Sequence, residues 1–396
     1  MSTARHDLDL PLEQLRGVRD QLATAIRDGL AQPEQTVRAL PAHLPPPPPD
    51  LEGEALVVDT GGTNSRAAVV RLKPGLPAEV IAGPVQQRLP VRVQEGPQLD
   101  AEGFFDLQAQ LAHQVAPGAR LPVGYCFSYP SQVGEDRDAR LLQWTKGITI
   151  PGVQGELVGA GLMRGLKRAG LQPTGVCVLN DTVASLLGGT QGFAGPSRDV
   201  IGLIAGTGTN MAGFYDASQA AKLRAFSTPM AINLESGNFH PPGLVPADDV
   251  VDAASENPGR QRFEKAVSGY YLPFVFAALH PEAGLDPHAG TGPLVQLRDN
   301  GPDSPARATA GALLARSADL IAAGVAAVIE TYPADSRHIG LLAEGSLFWR
   351  ATGYADRVKA TLRNLVASEL HVELLPRNEA NLVGAACAAL TPVLVR

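Results

Sequence analysis

One phrase occurs twice in this chain. Ala55-Leu-Val-Val-Asp59-Thr-Gly-Gly-Thr-Asn64-Ser-Arg66 is loosely echoed by Val200-Ile-Gly-Leu-Ile-Ala-Gly206-Thr-Gly-Thr-Asn210. In each, an apolar run that reads as a buried strand enters a Gly/Thr turn and leaves through a second apolar run, Ala67 to Leu72 or Met211 to Tyr215. Glycine lets backbone N–H groups come close to a phosphate, and threonine hydroxyls add donors without adding positive charge. Two such strand-turn-strand units facing each other can hold one polyphosphate between two halves of a protein. No GxxxxGK[ST] string occurs, so a lysine-bearing phosphate loop is excluded and the two hairpins must serve instead.

The chain has 396 residues and a mass of 41.4 kDa, long for one core and comfortable for two, which leads us to expect a cleft between domains. Its formal charge of -7, its pI near 5.7 and the lack of any Lys/Arg-rich run give no footprint for nucleic acid or an anionic membrane. The expected partners are small molecules, and the oligomeric state, monomer or homodimer, stays open. Cys126, Cys177 and Cys387 are odd in number, far apart and set in apolar surroundings, which reads as three buried free thiols in a reducing compartment. The stretch Met1 to Leu15 carries Arg5, Asp7, Asp9 and Glu13 and lacks the apolar centre of a signal peptide. No run reaches the about 18 uninterrupted apolar residues of a membrane span. A cytoplasmic protein is therefore expected. The eight histidines include no HExxH and no clustered Cys/His spacing, so no zinc site is indicated.

Leu15, Val18, Leu22, Ile26 and Leu30 recur at helical spacing and predict an amphipathic helix over 11–31 that ends before Pro33. A second short segment over 34–40 precedes the run Pro45 to Pro49, which reads as a stiff extended connector. Further along, strands are expected at 55–72 (a hairpin), in the first part of 91–106 ahead of a loop and a helix start, and at 121–129, 176–179, 338–342 and 372–375. Helices are expected at 156–168, 181–187, 260–271, 306–331, 355–368 and 383–395, with an irregular stretch after Tyr215. Alternating strands and helices argue α/β. The strand 176–179 delivers Asn180 and Asp181 to its C-terminal end, where such sheets present functional groups. With the carboxylate near a cap position, Asp181 has a structural reading as well.

Seven segments carry a resemblance. DTGGTNSR at 59–66, CFSYPSQ at 126–132, WTKGITIPGVQG at 144–155, LNDTVASLL at 179–187, GTGTN at 206–210, MAINLESGNF at 230–239 and RFEKAVSGYYL at 262–272 together resemble the hexokinase/glucokinase family. The match is collinear and spans nearly the whole chain; the shortness of the chain and its trimmed loops resemble the compact bacterial type. The resemblance implies an actin-like ATPase (ribonuclease H-like) fold, two α/β domains closing over a cleft. It implies boundaries of 1–53 for an N-terminal helix and linker belonging to the large domain, 54–181 for the small domain, 182–379 for the large domain, and 380–396 for a last helix that returns to the small domain.

It also implies an ATP- and Mg2+-dependent kinase of a hexose, D-glucose first among the candidates, acting at the 6-hydroxyl. Asp181 matches the general base, and Lys146 the lysine beside the transferred group. Ser128, Thr145, Asn180, Asn210, Glu235, Gln261 and Glu264 match hexose-binding residues. On the nucleotide side stand Asp59, Gly61, Gly62, Thr63, Asn64 and Arg66 in the first turn, Gly206, Thr207 and Gly208 in the second, and Gly345 and Ser346 in the adenosine motif LLAEGSLFWRATGY. Asp59 resembles the aspartate that holds Mg2+ through water, and Asp181 is a second candidate for the same role. Arg66 can orient Asp59 or reach phosphate.

The chain departs from the family in three places, two of them near the nucleotide or the hinge. Glu344 replaces an aspartate, Ala380-Asn381-Leu382 stands for Gly-Ser-Gly before the last helix, and Pro273-Phe274 replaces Gly-Glu. Two other readings therefore stay open: a hexose kinase that uses ADP or polyphosphate, and a sugar-binding regulator without turnover.

Overall fold

The computed structural model describes residues 8–61, 64–90, 99–144, 148–333, 335–376 and 379–393. Helix α1 (Leu12–Ala31) buries the apolar face read from the sequence, and the connector that follows makes one short strand, β1 (Leu40–Pro41). The repeated phrase then opens two copies of one sheet. The first contains β2 (Gly53–Gly61), β3 (Asn64–Leu72), β4 (Glu79–Arg88), β5 (Pro122–Phe127) and β8 (Gly175–Leu179) in the spatial order β4-β3-β2-β5-β8. A small hairpin of β6 (Ser131–Val133) and β7 (Ala139–Leu141) stands outside it. The second contains β9 (Val200–Ala205), β10 (Thr209–Tyr215), β11 (Met230–Asn233), β12 (His338–Glu344) and β13 (His371–Leu374) in the order β11-β10-β9-β12-β13, with β1 added beyond β11. In both, the first three strands are antiparallel and the last two run parallel to the first.

Helices match in the same way. In the first copy they are α2 (Ala101–Val115), α3 (Val158–Arg168) and α4 (Asp181–Thr190). Five further helices lie in the second half between β11 and β12: α5 (Pro246–Ala253), α6 (Arg262–Val267), α7 (Leu272–Leu279), α8 (Thr291–Asn300) and α9 (Pro305–Ile329). After β12 come α10 (Ser346–Arg350), α11 (Tyr354–Leu365) and, past β13, α12 (Ala380–Leu390). One core lies between the first sheet and α2 and α3, with Phe104, Phe105, Leu162 and Leu166 inside it. A second lies between the other sheet and α1, α9 and α11. Helix α9 is the one helix among the described residues long and apolar enough to cross a membrane, and most of it is buried in that second core.

The third core sits between the sheets and contains α4 and α12. Each of these helices follows one sheet and lies on the other. A Cβ on Gly202 of β9 would come within 2.5 Å of the Thr182 carbonyl oxygen in α4, and a Cβ on Gly124 of β5 within 2.0 Å of the Ala385 carbonyl oxygen in α12. The two helices also touch each other through backbone: a Cβ on Gly384 would lie 1.8 Å from the Ala184 carbonyl oxygen, and one on Gly188 2.4 Å from that of Ala380. Beside this contact Ser185 Oγ donates to Asn381 Oδ1 at 3.0 Å.

Three expectations need correction. The stretch after Tyr215 is not simply irregular, since Met230–Asn233 is a strand and Pro246–Ala253 a helix. The helix expected over 260–271 is shorter, α6 ending at Val267, because the Gly269 N–H is drawn out to the Gly206 carbonyl at 2.7 Å; α7 starts only at Leu272. The last helix stops at Leu390, ahead of Pro392, with the Thr391 hydroxyl bonded to the Cys387 carbonyl at 2.7 Å. The helix start expected within 91–106 is that of α2, which begins at Ala101 with Asp100 as its cap, while residues 91–98, where the strand is expected, lie outside the described residues.

Candidate active site

Asp59 lies one residue before the end of the buried part of β2, directly opposite Arg66 on β3 and Cys126 on β5. It is 8% exposed, and its Oδ2 receives two bonds from Arg66, from Nη2 at 2.6 Å and Nε at 3.1 Å. The third arm of that guanidinium, Nη1, reaches Glu379 Oε2 at 2.9 Å, at the start of α12. Burial works to lower the Arg66 pKa, but Asp59 and Glu379 outweigh it and the net direction is upward. Burial also pushes the Cys126 thiol well up, and the charges of Asp59 and Asp181 add to it. Two carboxylates thus flank one buried thiol.

The second turn is built from absent side chains. Gly206 N–H bonds to the Gly208 carbonyl at 3.0 Å, and a Cβ on Gly208 would sit 2.7 Å from Glu264 Oε2. Gly345, at φ 122°, lies against the turn so closely that a Cβ there would be 2.3 Å from the Ala205 carbonyl oxygen. That contact brings Gly345 and Ser346 beside Gly206, while Thr207 is exposed at the tip. Gly61 and Asn64 flank the first turn. Ser128 lies under it, its N–H on the Thr60 carbonyl at 3.1 Å and its hydroxyl 3.1 Å from where a Cβ of Gly61 would be.

Of the residues assigned to the sugar, Asn180 and Asp181 from the first half and Asn210, Glu235 and Glu264 from the second come together. Asn180 caps α4, its Oδ1 accepting from Thr182 N–H at 2.9 Å, so the capping role considered for Asp181 falls to its neighbour. Asp181 Oδ1 accepts from the same N–H at 2.8 Å, which fixes the carboxylate and leaves its other oxygen for a ligand. Asn180, Asn233 and Glu235 line one small cavity with Phe127, Tyr129 and Leu40. Asn210 and Glu235 are joined through Asn233, and Glu264 Oε2 accepts from Thr209 N–H at 2.9 Å on the neighbouring residue. Gln261 opens α6 and accepts from Asn257 Nδ2; behind it the buried Lys265 ammonium donates to Asp252 Oδ1 at 2.6 Å and to the Asn257 carbonyl at 2.9 Å. Burial raises the Glu235 pKa and nearby Asp181 adds to this, while Asn233 and Arg38 pull it down; the net direction is upward. Gly62, Thr63, Thr145 and Lys146 lie outside the described residues.

Two residues of this site escaped the sequence reading, Asn233 and Glu379. Glu235, Gln261 and Glu379, at φ 55°, 52° and 49°, are non-glycine residues in the left-handed region, each immediately before a helix, a conformation that Glu34, Ala39, His43 and Arg137 adopt elsewhere. Such conformations persist where the surroundings over-determine them, commonly at functional sites.

Comparison with known proteins agrees with this arrangement. Two family models, both described as hexokinase, match residues 1–190 and residues 200–278 with 306–391. Hexokinase-3 of Rattus norvegicus is 35% identical over 276 residues, covering 66% of this chain and 29% of that protein. Hexokinase HKDC1 of Homo sapiens is 33% identical over 280 residues, again 66% of this chain and 30% of that protein. The chain thus spans less than a third of the length of these curated relatives. Among solved structures, a hexokinase from Schistosoma mansoni complexed with glucose superposes with a TM-score of 0.80 at 22% identity, covering 98% of this chain and 97% of that one. A ROK hexokinase from Thermus thermophilus gives 0.54 at 17% identity over 85% of this chain and 98% of that one. These likenesses show the actin-like ATPase fold. Duplicated sheets, paired phosphate-type turns and two family matches that between them cover most of the sequence lead to one conclusion: this chain belongs to the hexokinase family.

Proposed function

We propose that this chain transfers the terminal phosphoryl group of ATP, with Mg2+, to the 6-hydroxyl of a hexose, D-glucose being the first candidate. The observation that carries the reading is the cavity shared by Asn180 from the first half and Asn233 and Glu235 from the second, with Asp181 next to it at the start of α4. The amides and carboxylate that converge there suit hydroxyls, and the space between them, about 30 Å³, must widen to admit a hexose ring. Asp181 takes the proton of the attacking hydroxyl; an ordinary aspartate is ionised at neutral pH and needs position more than a pKa shift. Its bond from Thr182 N–H supplies that position. Lys146, by resemblance, stands beside the transferred group.

Asp59 and Asp181 offer hard oxygen donors on either side of Cys126, and a few carboxylates with water and phosphate oxygens suit Mg2+. When bound, the metal neutralises charge on the transferred phosphoryl group. Arg66 keeps Asp59 in place for it. Sugar-binding groups divided between halves let sugar binding drive closure and exclude water, which suppresses hydrolysis of the donor. Three buried free thiols support a reducing compartment, the cytoplasm.

The test is a coupled assay for hexose 6-phosphate with glucose and Mg2+, run in parallel with ATP, ADP and polyphosphate. Turnover with ATP, reduced at least ~100-fold by Asp181→Ala, is expected. Turnover with another donor alone would revise the nucleotide side. Silence with every donor, alongside measurable glucose binding, would favour the regulator.

A further inference from the structure

Asn210, Asn233 and Glu235 form a hydrogen-bonded chain whose direction is fixed at one end by backbone. Met211 N–H at 2.8 Å and Ser236 N–H at 3.2 Å both end on one side-chain atom of Asn210. A backbone N–H can only donate, so that atom is Oδ1. The other atom of the amide is then Nδ2, and it donates to Asn233 at 2.6 Å. Asn233 must present its own Oδ1 there, which turns its Nδ2 toward Glu235 Oε1 at 2.7 Å. The chain ends on a carboxylate, which when ionised only accepts. Neither amide can flip without setting two donors or two acceptors face to face.

We propose that Asn233 is a positioning residue of the sugar site, relaying the polarity fixed by two backbone N–H groups so that Asn210 faces the ligand as a donor and Glu235 as an acceptor. This rests on the hexose reading above. A donor and an acceptor held side by side complement a hydroxyl, which offers both, and reject a group that offers only one. The residue is built for the task. Asn233 closes β11, is 8% exposed, and is held on both sides by the sheet, paired with Ala212 of β10 and Leu40 of β1. Glu235 is also fixed from behind, since its carbonyl accepts from Asn238 Nδ2 at 3.2 Å. The charged groups that act on its carboxylate are Arg38 from the connector and Asp181 from α4, and Glu264 approaches the same turn from α6, its Cβ 3.3 Å from where a Cβ of Gly237 would be.

Two variants test the relay, each checked for an unchanged thermal transition. Asn233→Leu removes the donor to Glu235, and Asn233→Asp keeps the shape while setting a second carboxylate against the first. The first measurement needs no sugar: the titration of the Glu235 side-chain carboxyl carbon by NMR. Its midpoint is expected to move to higher pH in Asn233→Leu and further in Asn233→Asp. An unmoved midpoint would overturn the relay, whatever the protein does with hexoses. The second is glucose affinity by calorimetry across pH. For the parent chain, affinity should fall as the pH drops through the folded midpoint of Glu235. In Asn233→Asp it should be weaker by about 10- to 100-fold at neutral pH and recover on acidification, when a shared proton restores a donor between the two carboxyls. Parent-like affinity and pH dependence in that variant would also overturn the relay. A parent chain that binds no hexose, with the Glu235 midpoint shifted as expected, would overturn the hexose reading instead and leave the relay standing.

Discussion

The crossing of α4 and α12 makes a quantitative case. Replacing a helical glycine by alanine ordinarily stabilises a helix by up to about 1 kcal/mol. At Gly384 the new methyl carbon would lie 1.8 Å from the Ala184 carbonyl oxygen, 2.6 Å from its carbonyl carbon and 2.9 Å from its Cα, all backbone atoms of another helix. Carbon atoms in contact sit at about 3.5–4.0 Å, so the crossing must open by more than an ångström or the helices must slide. Overpacking of this kind costs about 1–3 kcal/mol, and with backbone on both sides the upper end applies. Subtracting the propensity gain leaves a net loss of about 2 kcal/mol for Gly384→Ala. Gly17 in α1 supplies the control, since nothing lies within 4 Å of a Cβ there and Gly17→Ala should gain about 1 kcal/mol. The two substitutions should therefore differ by about 3 kcal/mol. Urea unfolding measures this, and the two tryptophans sharpen it, because Trp144 reports from the core of the first sheet and Trp349 packs against that of the second. A Gly384→Ala protein as stable as Gly17→Ala, by either probe, would refute the argument that backbone contact sets the spacing of the halves.

Two further outcomes are expected. Burial pushes the thiols of Cys177 and Cys387 to about 12 and that of Cys126 well above the ordinary range, so each ionises more readily in the unfolded chain than in the folded one. Their contribution to stability is complete below the unfolded thiol pKa of about 8.5 and is lost as pH rises from there toward 12. Native protein should resist thiol labelling at pH 8, urea should release three reactive thiols, and the thermal midpoint should fall above pH 9; prompt labelling of the native state would contradict the burial. Arg137 is buried and holds three backbone carbonyls, those of His43, Thr391 and Pro392, at 3.0, 2.6 and 2.6 Å. Arg137→Ala should cost about 3 kcal/mol and expose the segment after Leu390 to carboxypeptidase, and Arg137→Lys should not rescue it, since one ammonium cannot span a three-pronged site. Parent-like stability and protease resistance in Arg137→Ala would remove the staple from the account.

The sequence was most legible where structure is local. The two hairpins show because β-branched runs flank a Gly/Thr turn, and α1 and α9 because a sustained 3.6-residue period needs no partner to be seen. Strand β4 was missed since it is an exposed edge strand with Gly83-Pro84 in its middle and a polar end, Gln86-Gln87-Arg88, so it carries no alternation. The hairpin β6–β7 was missed because three-residue strands fall below any periodic signal. The candidate site divides in the same way. Asp59, Asp181 and the glycines stand in compact motifs, whereas Glu379 meets Arg66 across 313 positions and Asn233 acquires its task from the register of β10 with β11.

The exchange of closing helices between the two sheets gives the molecule the topology of a domain-swapped dimer written into one chain. Helix α4, made by the first half, completes the core of the second, and α12 returns the favour. Neither half owns a finished interior. Cutting the chain after α4 would leave two fragments that each display an unpaired apolar helix and a bare sheet face, so they should fold by mutual complementation and poorly alone. The same interlock ties the two halves at one crossing, where Gly188 and Gly384 let the backbones of α4 and α12 meet.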